Sequence, residues 1–502
     1  MSLQVEEKKP APVDRLHPEP RQEPLVFERS GLGKVGYSLP PLDVPDVTAI
    51  PKELRREEIA GETEITEVEV ARHFTRLSKL NFSIDQKLYP LGSCTMKHNP
   101  RINEEVARLP GFAAAHPLAP EEVSQGTLEL AWRLEQALIE LTGLARVTLQ
   151  PSAGAQGELA GIVMVRAALE KEGNPRKAVL IPDSAHGTNP ASAHFAGYKV
   201  RELKSNARGT LDLHVLEEAM TEDVAALMLT APNTLGIFED RILEIAEIVH
   251  DKGAYLYCDG ANFNSFVGIA KPGLMGIDVM HMNLHKTFST PHGGGGPGSG
   301  PVAVCEKLVP YLPRPTIERR ADGTFTLDLD RPDSIGRLRT FLGNYGMFVR
   351  ALAYIVSYGN RIGEVAQGAV LNANYIRAGL ADLYHLKYDA PTLHEVVFSD
   401  KKQAEHGVHN MDIAKRLMDY GFHPPTISFP LIVHGALMIE PTETEGRASL
   451  DAFIHAMREI AREVREDPQI VLNAPHTTPV RRVDEVAAAR NLVLRWKPVA
   501  PR

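Results

Sequence analysis

The chain has 502 residues, more than one compact core usually organises, so two or more domains are expected. Its 43% hydrophobic and 24% charged residues suit a soluble globular protein, and a formal charge of −9 argues against a general nucleic-acid binder, which needs a basic face. Cys94, Cys258 and Cys305 lie far apart with no C-x-x-C pair, which suits a reducing compartment and offers no zinc site.

The opening "MSLQVEEKKPAPVDRLHPEPRQEP" has no apolar core for a secretory signal. No run approaches the ~18 apolar residues of a membrane span, so the expectation is a cytoplasmic protein. Residues 1 to about 55 are proline-rich and charged, and residues 1–80 are taken as an extended N-terminal arm. Residues 81–335 read as a large α/β domain. In it "LELAWRLEQALIELTG" is an amphipathic helix stopped by Gly143, "ARVTLQ" a short strand, and "GAQGELAGIVMVRAALEKEG" a helix opening on small residues. The runs "KAVLIP", "VAALMLT", "AYLYCDGA" and "VMHMNLH" are apolar strands separated by helices such as "ILEIAEIVHDKG". Such alternation predicts a mainly parallel sheet with helices on both faces. Residues 336–502, with "HEVVFS", "MDIAKRLMDYGF" and "ISFPLIVHGALMIEP", read as a smaller α+β domain.

The stretch "NLHKTFSTPHGGGGPGSGP", residues 283–301, sets Lys286 between a histidine and a hydroxyl and follows it with glycines. A Walker loop needs Gly directly before Lys-Ser/Thr, and His285 stands there instead. A nucleophile elbow fails because Gly300 follows Ser299 directly. Apolar strand-like runs on both sides argue against a linker. Glycines squeezed between strands mark close backbone approach, which leaves Lys286 as the reactive candidate.

Other patterns have plainer readings. "GLGKVG" at 31–36 is flanked by neither strand nor helix and reads as a turn. "HEVVF" at 394–398 lacks the second histidine of a zincin, and "DLDRPD" at 328–333 lacks the Gly and Glu of a calcium loop. His281 and His285 share a strand with no third ligand nearby, so no metal is expected. Cys94 reads as a small loop residue rather than a nucleophile.

A catalytic lysine forms a Schiff base, most often with pyridoxal phosphate. That cofactor needs an acid for its ring nitrogen, and Asp259 in "YLYCDGAN" ends an apolar strand where open α/β sheets bind ligands, with Ala261 joining the candidate contacts. Its phosphate needs free N–H groups at a helix start, which "LQPSAGAQGELAG" supplies at Ala153, Gly154, Ala155 and Gln156. Its ring needs a flat partner: "PDSAHGTNPAS" offers His186, with Thr188 beside it for the phenolic oxygen.

Phosphate turn, aromatic, aspartate and lysine follow in the order that fold-type I pyridoxal phosphate enzymes, the aspartate aminotransferase-like group, look like. "YPLGSCTMKHNP", "PDSAHGTNPASA", "APNTLGIFE", "CDGANFN", "NLHKTFSTPHGGGGPGSGP", "FHPPTISFPLIV", "MIEPTETE" and "TPVRRVDEVAAARN" together resemble the glycine decarboxylase P-protein, specifically its C-terminal half, from about residue 25 onward. The resemblance implies pyridoxal 5'-phosphate held by Lys286, Asp259 as its ring-nitrogen partner, and His186 stacked on the ring. It implies decarboxylation of glycine, with the aminomethyl group passing to the lipoyl arm of H-protein. The loop Leu91–His98 and the glycines at 293–300 become candidate walls for that arm, with Lys97, His98 and Arg337 as candidate cations for the glycine carboxylate. Ala231 stands where the family usually carries asparagine, near Asn233 and Thr234. Since this segment is half of the long form, the resemblance implies a complex with P-protein subunit 1, two copies of each, the N-terminal arm wrapping the partner. The rivals are another fold-type I enzyme, an aminotransferase or hydroxymethyltransferase, or a non-catalytic structural subunit.

Overall fold

The computed structural model describes residues 23–45, 49–56, 62–291 and 298–495. Among the described residues, those from 84 to 473 form one compact unit, and those before 84 with those after 473 form another.

The first unit is built on a seven-stranded sheet. Its strands are β1 (Arg146–Thr148), β2 (Ala178–Pro182), β3 (Lys199–Leu203), β4 (Val224–Thr230), β5 (Tyr255–Gly260), β6 (Val279–Met282) and β7 (Val302–Val304). They lie in the order β1-β7-β6-β5-β4-β2-β3. The pairs from β3 through β6 are parallel, while β7 runs antiparallel to both β6 and β1. The apolar runs were legible because β2, β4, β5 and β6 are buried along their whole length.

Strand alternation divides those side chains between two cores. Leu180, Leu227, Leu256 and Met280 pack on one face with Leu134 and Leu138 of the helix Glu121–Thr142. Val179, Met228, Tyr257 and Val279 pack on the other with Ile162, Val165 and Leu169 of the helix Gly154–Lys171. Each fully buried aliphatic side chain contributes about 1.5–3 kcal/mol. The helix Glu121–Thr142 ends where its sequence indicates, at Gly143 with φ of 68°.

After the hairpin of β8 (Thr316–Arg319) and β9 (Phe325–Asp328) the chain builds a three-stranded antiparallel sheet. Its strands are β10 (Val396–Ser399), β11 (Thr426–Ile427) and β12 (Ala436–Ile439), in the order β10-β12-β11. The helices Gly363–Leu380 and Arg447–Glu466 supply its core through Ile376, Leu450, Phe453 and Ile460. Leu91 bridges Ile439, the last residue of β12, and Glu440 donates its N–H to the Pro90 carbonyl at 3.2 Å.

In the second unit, residues 1–80 are not uniformly extended: Glu67–Ser78 is a helix. Thr66 and Glu69 form its capping box, a sequence signature that a reading based on proline content passed over. Glu23 ties that helix to the preceding chain through His73 at 2.6 Å and Arg76 at 2.7 Å. "GLGKVG" is a turn, with Lys34 N–H donating to Gly31. The described residues from 474 to 495 group with this unit rather than with the rest of the 336–502 segment. No helix among the described residues is long and apolar enough to cross a membrane.

Candidate active site

At the carboxyl ends of β4, β5 and β6 lies a cavity of about 190 Å³, lined by Ser93, Gly154, His186, Asp259 and Lys286 among others. The register of β5 against β6 sets Asp259 beside His281. Asp259 Oδ1 lies 3.2 Å from His281 Nε2, and His281 Nδ1 lies 2.9 Å from the Tyr257 hydroxyl. Oδ1 also accepts the Ala261 N–H at 2.9 Å, and Oδ2 accepts from Asn189 at 3.2 Å. Burial pushes the Asp259 carboxyl up, but His281, the Ala261 N–H and Lys286 outweigh it and hold it below the ordinary range. Burial drives His281 the other way, toward the neutral ring. With Tyr257 donating to Nδ1, that ring presents Nε2–H to Asp259.

Lys286 sits just past β6, in the turn that its own N–H closes on the Asn283 carbonyl at 3.1 Å. Its Nζ donates to the Ser93 carbonyl at 2.7 Å. The helix Gly154–Lys171 begins at Ala153, which has no side-chain cap, so its first N–H groups are left for another acceptor. A Cβ on Gly154 would lie 2.6 Å from Asn283 Oδ1, so glycine is what allows this approach. Asn283 Oδ1 is buried and takes no hydrogen bond among the described residues.

Of the sequence candidates, Gly154, Ala155, His186, Thr188, Asp259, Ala261 and Lys286 line the one cavity. Ala153 caps the helix, and Gln156 turns its side chain back to accept the Ser152 N–H at 2.8 Å. Thr188, expected at a phenolic oxygen, donates its hydroxyl to Glu158 Oε1 at 2.7 Å and lies 2.8 Å from His186 Nδ1. Burial pushes the Cys94 thiol up, the opposite of an activated nucleophile. Lys97 is committed to a buried pair with Glu443 at 2.7 Å, His98 lies 3.5 Å from Asp85, and Arg337 is exposed. Arg339, not anticipated, donates to Ser152 at 2.6 Å beside the phosphate turn. Asn233 and Thr234 tie their turn to neighbouring segments, donating to the Gly209 and Ser184 carbonyls at 2.7 Å. Residues 292–297 of the glycine run lie outside the described residues.

Sequence reasoning missed Glu158, His281 and Tyr257. Burial, and then the charge of Asp259, pushes the Glu158 carboxyl up to about 8. A lone glutamate within "GAQGELAG", facing a sheet across small residues, was the available signal.

A lysine amine, an ionised carboxylate beside a flat ring, and an uncapped helix start around one cavity fit pyridoxal phosphate. With the parallel sheet beneath them they define a fold-type I pyridoxal phosphate enzyme. The profile of the "Glycine cleavage system P-protein" family matches residues 28–325, and that of "Glycine dehydrogenase, C-terminal domain" matches residues 365–476. The chain belongs to the glycine cleavage system P-protein family. It is 53% identical over 477 residues to a protein of Caldanaerobacter subterraneus subsp. tengcongensis named "Probable glycine dehydrogenase (decarboxylating) subunit 2", covering 94% of this chain and 98% of that one. A Bacillus licheniformis protein of the same name is 54% identical over 482 residues, covering 95% and 99%. In fold it is similar to an inhibitor-bound glycine decarboxylase P-protein, with a TM-score of 0.69 at 23% identity over 82% of this chain and 93% of that one. A NifS-like protein gives a TM-score of 0.58 at 16% identity, over 75% of this chain and all of that one.

Proposed function

We propose that this chain decarboxylates glycine with pyridoxal 5'-phosphate and passes the aminomethyl group to the lipoyl arm of H-protein, acting as subunit 2 of a glycine cleavage P-protein. The observation that carries the reading is the meeting of Lys286, Asp259 and His186 on one cavity with the open end of the helix Gly154–Lys171. Near-full-length relatives named glycine dehydrogenase support the reaction, and their designation as subunit 2 supports a partner.

When bound, the cofactor takes up the electron pair freed as CO2 leaves glycine. Lys286 holds it through its amine, and the N–H groups at Gly154 and Ala155 receive its phosphate. Asp259 keeps the proton on the ring nitrogen, supported by neutral His281. His186, its Nδ1 fixed by Thr188, which Glu158 anchors in turn, would flank the ring. With the cofactor bound, these residues would hold the aminomethyl group so that it could pass, with that electron pair, to the lipoyl disulfide, one sulfur taking the carbon and the other a proton, while Lys286 would take back the cofactor. Two copies of each subunit would complete the complex, with the N-terminal segment against subunit 1.

Glycine–bicarbonate exchange with lipoylated H-protein, measured with and without subunit 1, tests this reading. Exchange that depends on subunit 1 is expected. Full-rate exchange by the isolated chain would remove the partner, and no exchange in either case would remove the reaction.

A further inference from the structure

The Ser93 carbonyl that accepts the Lys286 amine belongs to a loop whose backbone two buried glutamates hold from behind. Ser93 N–H donates to Glu395 Oε2 at 3.0 Å, and Thr95 N–H donates to Glu440 Oε2 at 3.0 Å. Asn264 donates to the other Glu440 oxygen at 3.2 Å. Both glutamates are 0% exposed. Glu395 stands just before β10 and Glu440 just after β12, so the small sheet reaches toward the lysine through them.

The loop has an unusual backbone. Ser93 and Thr95 have φ of 65° and 48°, the left-handed region that non-glycine residues occupy only where their surroundings compel it. The anchoring is dense. Thr426 donates to the Gly92 carbonyl at 2.7 Å, and a Cβ on Gly92 would lie 2.2 Å from Met438 Cγ.

Burying two carboxylates side by side is costly without compensation. His394 lies 3.6 Å from Glu395 but brings no charge, because burial drives its ring down to about 3. Burial, and for Glu395 the neighbouring Glu440, pushes both carboxyls up; the N–H groups of Ser93 and Thr95, with Lys286, offset that only in part. Ligand atoms of His394, Glu395 and Glu440 lie within 4.8 Å of one another, an arrangement that a cation could also exploit. The carboxylate oxygens already engaged by Ser93, Thr95 and Asn264 favour loop support.

We infer that Glu395 and Glu440 are positioning residues which, through the N–H groups of Ser93 and Thr95, hold the Ser93 carbonyl as the seat of the Lys286 amine whenever that lysine is released from the cofactor. The inference rests on Lys286 being the cofactor lysine. Substrate displaces that lysine in each turnover and the lysine returns, so a fixed acceptor beside the cavity shortens its search. Loss of the seat therefore slows turnover without weakening glycine binding.

The test uses the full chain assembled with subunit 1, comparing Glu395→Ala and Glu440→Ala with Glu395→Gln and Glu440→Gln. The alanine variants are expected to lose about tenfold to a hundredfold in kcat for glycine–bicarbonate exchange, with KM for glycine within about twofold of wild type. The glutamine variants keep an acceptor for each N–H and are expected to recover most of the rate. Without turnover, in cofactor-free protein, alanine is expected to speed amide exchange at residues 91–97 and labelling of Lys286 by an amine-reactive reagent, read by mass spectrometry. Unchanged rates and labelling in the alanine variants would overturn the inference, as would glutamine variants as impaired as alanine. So would one equivalent of tightly bound metal in wild type that is lost in His394→Ala. Should the alanine variants fold poorly, the glutamine variants decide: Lys286 labelling as slow as wild type supports positioning, and faster labelling refutes it. A wild-type enzyme whose cofactor cannot be trapped on Lys286 would instead refute the functional reading beneath it.

Discussion

His281 Nε2 lies 3.2 Å from Asp259 Oδ1, so the carboxylate assigned to the cofactor ring is itself held by a buried imidazole. Tyr257 fixes that imidazole from its other side at 2.9 Å. Tyr257→Phe leaves His281 Nδ1 buried without a donor, which costs about 1–3 kcal/mol. The expected result is a lower thermal midpoint with the cofactor still bound. An unchanged midpoint would show that the hydroxyl contributes nothing to the relay.

Asp259→Asn keeps the shape of the side chain but removes the charge that is proposed to hold a proton on the ring nitrogen. The fold is expected to survive, and decarboxylation to fall by orders of magnitude, on the order of a hundredfold or more, because the electron sink is lost. Circular dichroism and CO2 release measure the two halves of this statement. Near-normal CO2 release would reduce Asp259 to a turn residue.

Glu158 gives a pH dependence. Burial raises its carboxyl from 4.5 to about 8, so the native state favours the protonated form. A group raised in this way contributes stability that is complete below its unfolded pKa and is lost as pH rises through the folded one. Cofactor-free wild type is therefore expected to lose stability between about pH 4.5 and 8, and Glu158→Gln to flatten that slope. Urea midpoints across that window measure it, and parallel wild-type and variant curves would contradict it.

Gly300 crosses under the phosphate turn, its N–H donating to the Pro151 carbonyl at 2.9 Å. A Cβ there would lie 2.1 Å from the Ala153 carbonyl, so the turn has to shift. Gly300→Ala is expected to weaken pyridoxal phosphate binding by about tenfold or more, read by absorbance titration. Wild-type affinity would show that the turn is not part of the cofactor site.

The strands and the order of the site residues were legible because both follow from local pattern: apolar runs mark buried parallel strands, and ligand residues follow their carboxyl ends. Lys286 and Asp259 stood out for that reason. His281 did not, because its role arises from the pairing of β5 with β6, which juxtaposes residues 22 positions apart. Glu395 and Glu440 were further from reach. They meet the loop at Ser93 and Thr95 only through contacts spanning 302 and 345 residues, and "HEVVF" carries no local sign of that role. The helix Glu67–Ser78 was readable from Thr66 and Glu69, but the proline content of the preceding chain obscured it.

The most direct measurement concerns Lys286 itself. Its place just past β6, on a cavity shared with Asp259 and the uncapped helix start, is the ground on which it is proposed as the lysine that bonds the cofactor. Borohydride reduction of the holoenzyme followed by peptide mapping is expected to recover the pyridoxyl group on the peptide containing Lys286. Lys286→Ala is expected to bind the cofactor without fixation and to release no CO2 from glycine. A pyridoxyl group recovered on any other lysine, or undiminished CO2 release from the alanine variant, would contradict the account.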